Sequence, residues 1–163
     1  KVIWYAGGIM DWNNVLGSHA HVDEVDHGEL NNPSDTDFAT GACMLIKRQV
    51  IDQIGLLNEK YFLYLEDLEF CQRAKRAGWQ IVFDPRPKVW HKVSQSSGIG
   101  SSLNDYFITR NRLLFGMKYT HFRTKFALLR EAFRKLTYGT DAQKTAIKDF
   151  FLGHLGRGSW LKH

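Results

Sequence analysis

The sequence predicts an α/β fold, a small mixed sheet with flanking helices and a C-terminal helical tail. Three observations predict it. Short apolar runs of strand length alternate with helix-period segments over residues 1–120. Glycines stand where helices should stop, at Gly55, Gly78 and Gly153. Residues 121–163 then read as a basic amphipathic helical tail. The 163 residues, 44% hydrophobic, suffice for one domain with a core.

The elements follow in order. Val2–Ala6 is a short apolar strand ending at the pair Gly7–Gly8. Residues 11–37 are polar and turn-rich, which reads as one long loop. Phe38–Ile46 (FATGACMLI) reads as a buried strand, and Lys47–Ile54 as a short helix stopped by Gly55. A second helix spans Glu66–Ala77, with Leu68, Cys71 and Ala74 on one face and Gly78 after it. Its first turn carries Glu66, Asp67 and Glu69, where the helix dipole favours negative charge. Trp79–Phe83 alternates as a strand until Pro85 and Pro87, which cannot donate ladder bonds. Lys88–Val93 is another strand, residues 94–102 a flexible loop, and Asn104–Tyr119 a helix. In the tail, Phe122, Phe126, Leu129, Phe133 and Leu136 repeat at helical spacing, opposite Arg123, Lys125, Arg130, Arg134 and Lys135. The last helix starts near Thr140, where Gln143 completes a capping box, and ends at Gly153.

Composition narrows the function classes. The net charge of +5 is uneven. Residues 1–69 hold 4 Lys/Arg against 12 Asp/Glu, and residues 70–163 hold 18 against 5. The acidic front suits metal or hydroxyl chemistry, and the basic back suits phosphate or an anionic membrane. No nucleic-acid-binding module is recognisable, so no nucleic-acid partner is expected. Cys43 and Cys71 read as two free core thiols, without zinc spacing. No apolar run approaches the roughly 18 residues that span a bilayer. The start at Lys1, without a signal segment, reads as the middle of a strand, as expected of a processed or cut piece.

Four constellations bear chemistry. In HAHVDEVDH (19–27), His19 and His21 would share a face of an extended segment, a metal-binding spacing, but ordered metal sites need more ligands on rigid elements, so a solvated polar loop is the preferred reading. Glu66–Asp67 is either a pair of helix-capping charges or a general base for an attacking hydroxyl, shielded by Tyr61, Phe62 and Tyr64. His91, before a Ser/Gly loop, is a structural histidine or a ligand for metal or phosphate. Arg110–Asn111–Arg112 interrupts an apolar helix, where an arginine suits phosphate, or else a solvated stripe.

The order of these pieces carries a resemblance. YAGG (5–8), TGACMLIKRQVIDQIGLLNEKYFLYLEDLEFCQRAKRAGW (40–79), DPRPKVWHK (84–92), the SSG loop, TRNRLLF (109–115) and FLGHLGRG (151–158) follow one another along the chain. The chain thereby resembles the C-terminal, acceptor-side half of family 2 glycosyltransferases, above all the rhamnosyltransferase-like bacterial members. The resemblance implies a partial GT-A fold. It implies an inverting enzyme that moves a sugar from a nucleotide-sugar donor to a glycan or lipid-linked acceptor, in cell-surface polysaccharide synthesis. It assigns the catalytic base to Asp67 with Glu66 beside it, and the acceptor side to Thr40, Gly41 and Tyr64. It puts Gly7, Gly8, the loop 9–37 and Arg110 on the donor side, and His91 at a divalent metal, Mg or Mn.

The family's nucleotide-binding half and its Asp-x-Asp motif have no counterpart in residues 1–163. Asp35-Thr36-Asp37 has the letters but precedes the Thr40–Gly41 strand. The expectation is therefore an isolated piece that is inactive and binds no metal. Its tail would meet a membrane or the missing half, and an uncovered sheet edge would invite self-association. Its expected location is the cytoplasm, at the inner face of the plasma membrane. The competing readings are a non-catalytic carbohydrate-binding or scaffold module, and a metal-dependent phosphoesterase built on HAHVDEVDH.

Overall fold

The computed structural model describes residues 1–91 and 100–160. The class is mixed α/β, compatible with part of a GT-A fold, and the described residues form five helices and two separate two-stranded antiparallel sheets rather than one mixed sheet. No helix among the described residues is long and apolar enough to cross a membrane. The chain divides into two compact units.

The first unit comprises Lys1–Asp11, Leu16–Leu57 and Asp67–Lys92. Strand β1 (Gly8–Asp11) pairs antiparallel with β2 (Leu16–His19), Gly8 opposite His19. Strand β3 (Ser34–Asp35) pairs antiparallel with β4 (Val82–Phe83). Two strands therefore lie inside the segment expected to be loop, while Val2–Ala6 forms only a bridge from Val2 to Val25. The reason is local. Gly7 turns the chain at φ +115°, and the Thr36 hydroxyl accepts from the Gly8 amide (2.5 Å) and donates to its carbonyl (2.9 Å).

Phe38–Ile46 is not a strand. Phe38 and Thr40 are buried, but the chain turns at Gly41–Cys43, where the Cys43 amide donates to the Thr40 carbonyl (3.2 Å). Cys43 is consequently exposed, whereas Cys71 is buried; both thiols are free. Helix α1 (Arg48–Ile54) ends at Gly55 as expected. Helix α2 (Glu66–Arg76) buries the expected Leu68, Cys71 and Ala74. Val50, Phe70 and Ala74 form the core with Met44, Ile46, Ile54, Trp79 and Ile81 around them. Arg73 ties the two helices together. It pairs with the buried Glu69 (2.8 Å) and donates to the carbonyls of Ile54 and Leu56, satisfying the open end of α1. Strand character over 79–83 survives only at β4, and residues 88–91 form none. The remainder of that predicted strand, and residues 94–99 of the predicted loop, lie outside the described residues.

The second unit comprises Trp12–Val15, Asn58–Glu66 and Val93–His163. It holds α3 (Ser102–Tyr119), α4 (Phe122–Tyr138) and α5 (Asp141–Leu152). Ser101 caps α3, and the predicted Thr140/Gln143 capping box opens α5. Both capping side chains also donate to Asp105 of α3, at 2.7 and 2.8 Å, fastening α5 to it. Tyr106, Phe107, Ala142 and Ala146 form the core, with Leu63, Tyr64, Leu103 and Trp160 against it. Helix α4 buries Leu128 and Ala132, not the Phe stripe that its periodicity picks out.

Candidate active site

In the first unit, Asp67 sits in the first turn of α2. Its two carboxylate oxygens accept the Gly41 amide (2.9 Å) and the Leu68 amide (2.8 Å). A helix start offers free amides, and an acid there can take one while leaving lone pairs for other donors. The contact with Gly41 brings together the Thr40–Gly41 turn and Asp67, 26 residues further along the chain. Thr40 is buried and Gly41 exposed, so the carboxylate lies where a hydroxyl can approach.

Cys71 and Tyr5 belong to the same neighbourhood. Burial pushes the Cys71 thiol up to about 11 and the Tyr5 phenol up to about 12, each reinforced by the Asp67 charge. Tyr5 donates to the Phe38 carbonyl at 2.6 Å. Both groups stay protonated and neutral at physiological pH.

Gly7 and Gly8 serve packing. A Cβ on Gly8 would meet the Phe38 ring at 2.5 Å, and a Cβ on Gly7 would lie 3.3 Å from the Thr36 hydroxyl. Asp37 likewise has structural partners. Against the cost of its burial, the Met10 amide (2.9 Å) and the Lys75 ammonium (3.0 Å) hold its carboxyl below the usual range. A depression of about 320 Å³ in this unit is lined by Asp35, Thr36, Lys75, Gly78, Trp79, Gln80 and Ile81, and by none of the expected site residues.

The histidines do not assemble as the metal reading requires. His91 is exposed with its ring 4.3 Å from Trp4. His19 meets the same Trp4 side chain edge-on, with ring centres 4.6 Å apart, and donates to the Trp4 carbonyl (3.0 Å). His21 adopts φ +56° and pairs with Glu24 (2.8 Å), so it does not continue the face of β2. Among the described residues no group of three or more His, Cys, Asp or Glu is placed to hold a metal ion. The described residues thus gather no such set of ligands around His91.

In the second unit, the segment before Glu66 has an unusual backbone. Phe62, Tyr64 and Leu65 all have φ between +61° and +65°, a region that bulky side chains rarely occupy. Asn111 holds this turn. Its side-chain amide donates to the carbonyls of Tyr61 (2.9 Å), Leu63 (2.7 Å) and Tyr64 (2.8 Å). Arg110 helps, donating to the carbonyls of Lys60 (3.3 Å) and Tyr61 (3.0 Å), the Tyr106 hydroxyl (3.3 Å) and Asn111 (3.1 Å). Arg110 is fully buried, so its guanidinium is committed to the protein rather than presented to donor phosphates. Burial lowers its pKa, opposed by Tyr106 and Asp149. Tyr64 is half-buried against the Tyr106–Phe107 cluster, and Glu66 is half-buried at the start of α2.

Sequence reasoning singled out Asn111 only as part of the Arg110–Asn111–Arg112 triplet, without its carbonyl partners, and missed Asp149. Asp149 accepts from Tyr106 and from the Ser159 amide (2.7 Å) and hydroxyl (2.8 Å). The available signal was polar residues on otherwise apolar helices.

A family model described as "Glycosyltransferase like family 2" matches residues 19–116, more than half of the chain. The low-salt glycan biosynthesis hexosyltransferase Agl10 of Haloferax volcanii is 37% identical over 91 residues, 53% of this chain and 29% of that protein. The N-acetylglucosaminyl-diphospho-decaprenol L-rhamnosyltransferase of Mycobacterium tuberculosis is 37% identical over 61 residues, 37% of this chain and 20% of that protein. The chain thus spans less than a third of the length of these curated relatives. No solved structure matches it.

Proposed function

Taking as premise that this chain belongs to the family 2 glycosyltransferases, we propose that it forms the acceptor side of an inverting glycosyltransferase with Asp67 as its general base. The observation that carries the reading is the Gly41–Asp67 hydrogen bond. It sets one oxygen of the half-buried carboxylate against the Thr40–Gly41 turn, whose Gly41 is exposed. In the proposed step, Asp67 takes the proton from an acceptor hydroxyl as its oxygen attacks the anomeric carbon of a nucleotide-sugar. The bond from that carbon to the nucleotide breaks on the opposite face, and the nucleotide leaves with the bonding electrons. Glu66 precedes the base in the chain, and within the second unit the Asn111-held turn fixes the backbone that leads into Glu66.

The acceptor is proposed to be a glycan or a lipid-linked saccharide. Two relatives support this, one a glycan-biosynthesis hexosyltransferase and one an N-acetylglucosaminyl-diphospho-decaprenol L-rhamnosyltransferase. Replacing Asp67→Asn in the complete enzyme removes the base at almost unchanged size. Transfer should fall about 100- to 10,000-fold, while binding of the nucleotide-sugar, measured by calorimetry, stays near normal. Transfer at close to the normal rate would remove Asp67 from the role.

A further inference from the structure

The apolar stripe of α4 faces away from the core of its unit. Phe122, Phe126 and Phe133 are 77%, 69% and 62% exposed. The helix packs through Leu128 and Ala132 instead. Helix α5 extends the same surface. The Phe151 ring stacks on Phe133 with centres 6.2 Å apart, and both Phe151 and Leu152 are exposed. Single exposed apolar side chains are ordinary, but large ones joined across two helices mark an interaction surface.

The belt has a basic border. Arg123, Arg130 and Arg134 recur at spacings of seven and four, which places them along one edge of α4 beside the Phe stripe. All three are exposed and, among the described residues, none forms an ion pair. Arg123 lies over the Phe122 ring at 5.8 Å. Lys148 is exposed on α5. The acids of these helices do not neutralise the border. Glu131 pairs with Arg112 and Lys135, Asp149 is buried, and Asp141 stands at the other end of α5 from Phe151.

We propose that this belt docks on an anionic lipid surface. Phe122, Phe126, Phe133 and Phe151 enter the boundary between headgroups and acyl chains, and the three arginines meet headgroup phosphates. Charge complementarity selects this occupant. A second copy meeting the belt about a two-fold axis would bring the same three cations against these, a repulsive arrangement. A plane of phosphates satisfies all three guanidinium groups at once, and the helices lie in the interface without spanning it. The inference stands apart from the glycosyl-transfer reading, because it uses no residue of the candidate active site.

The complete protein is sedimented with vesicles of phosphatidylcholine alone and of phosphatidylcholine doped with phosphatidylglycerol. Binding is expected only to the anionic vesicles, and it should weaken as salt is added. An Arg123→Gln/Arg130→Gln/Arg134→Gln variant should bind them about a hundredfold less tightly, since each removed cation counts for about fivefold. A Phe126→Ser/Phe133→Ser variant should lose at least about tenfold. The substituted side chains are exposed, so both variants should melt like the parent by circular dichroism. Absence of binding to anionic vesicles at low salt would overturn the proposal, as would equal binding to both vesicle types or full binding by either variant. A dimer in light scattering that Phe126→Ser/Phe133→Ser dissolves, with no vesicle binding, would assign the belt to a second copy and likewise overturn it.

Discussion

Asn111 has one side-chain amide and three carbonyls to serve, all in the turn that leads into Glu66. That turn holds three bulky residues in the left-handed region, each costing on the order of 1–3 kcal/mol unless the surroundings enforce it. Asn111→Ala removes the enforcement and strands carbonyls that sit among buried groups. The expected loss is about 2–4 kcal/mol in urea unfolding. Asn111→Asp should lose more, because a carboxylate oxygen would face carbonyl oxygens. Unchanged unfolding midpoints for both would mean that the turn holds itself. The helix start that carries Glu66 and Asp67 was legible at this scale from spacing, whereas the choice between the two as base came only from the resemblance to the family. The partners of Arg110 were not. A buried Arg–Asn pair can be suspected in an apolar helix, but its targets depend on left-handed Phe, Tyr and Leu residues, which carry no turn signature of their own.

The helices were largely readable, because their signals are local: glycines after α1, α2 and α5, and the Thr140–Gln143 box. The strands were not, since pairs of two to four residues are fixed by single side chains such as Thr36 and Asp37 rather than by a pattern. Helix α4 shows the limit of periodicity. Its apolar arc is wider than the face that packs, and small Ala132 with Leu128 fits closely where Gly116 of α3 leaves no side chain. Ion pairs finish that contact. Partial burial alone would raise the Glu131 carboxyl, but Arg112 of α3 and Lys135 of α4 hold it down at about 2, below its ordinary 4.5. A folded-state value below the unfolded one adds stability that is complete above about pH 4.5 and fades as pH falls toward 2. Urea midpoints of the parent should therefore drop more steeply through this window than those of Glu131→Gln. Parallel slopes would show that the pairing contributes nothing.

Across the whole molecule, the order of motifs along the chain announced the family, although no one of them does so alone. How the two units share the chain was hidden, because that depends on contacts between segments far apart in sequence. Their interiors differ in kind. The first gathers α1, α2 and two short sheets, and the second stacks three helices of 12 to 18 residues. Local opening should follow that difference. Amides in the middle of α3 and α5 should exchange with deuterium slowest, and those of the two-residue β3–β4 pair fastest; the reverse order would contradict the packing. The assignment of segments has a further consequence. The chain passes from one unit to the other five times, on either side of residues 12–15, on either side of residues 58–66, and once more after residue 92. No single break in the polypeptide separates one from the other. Recombination with a relative could not swap either unit as a cassette, and an exchange that kept both intact would have to replace this whole stretch of chain at once.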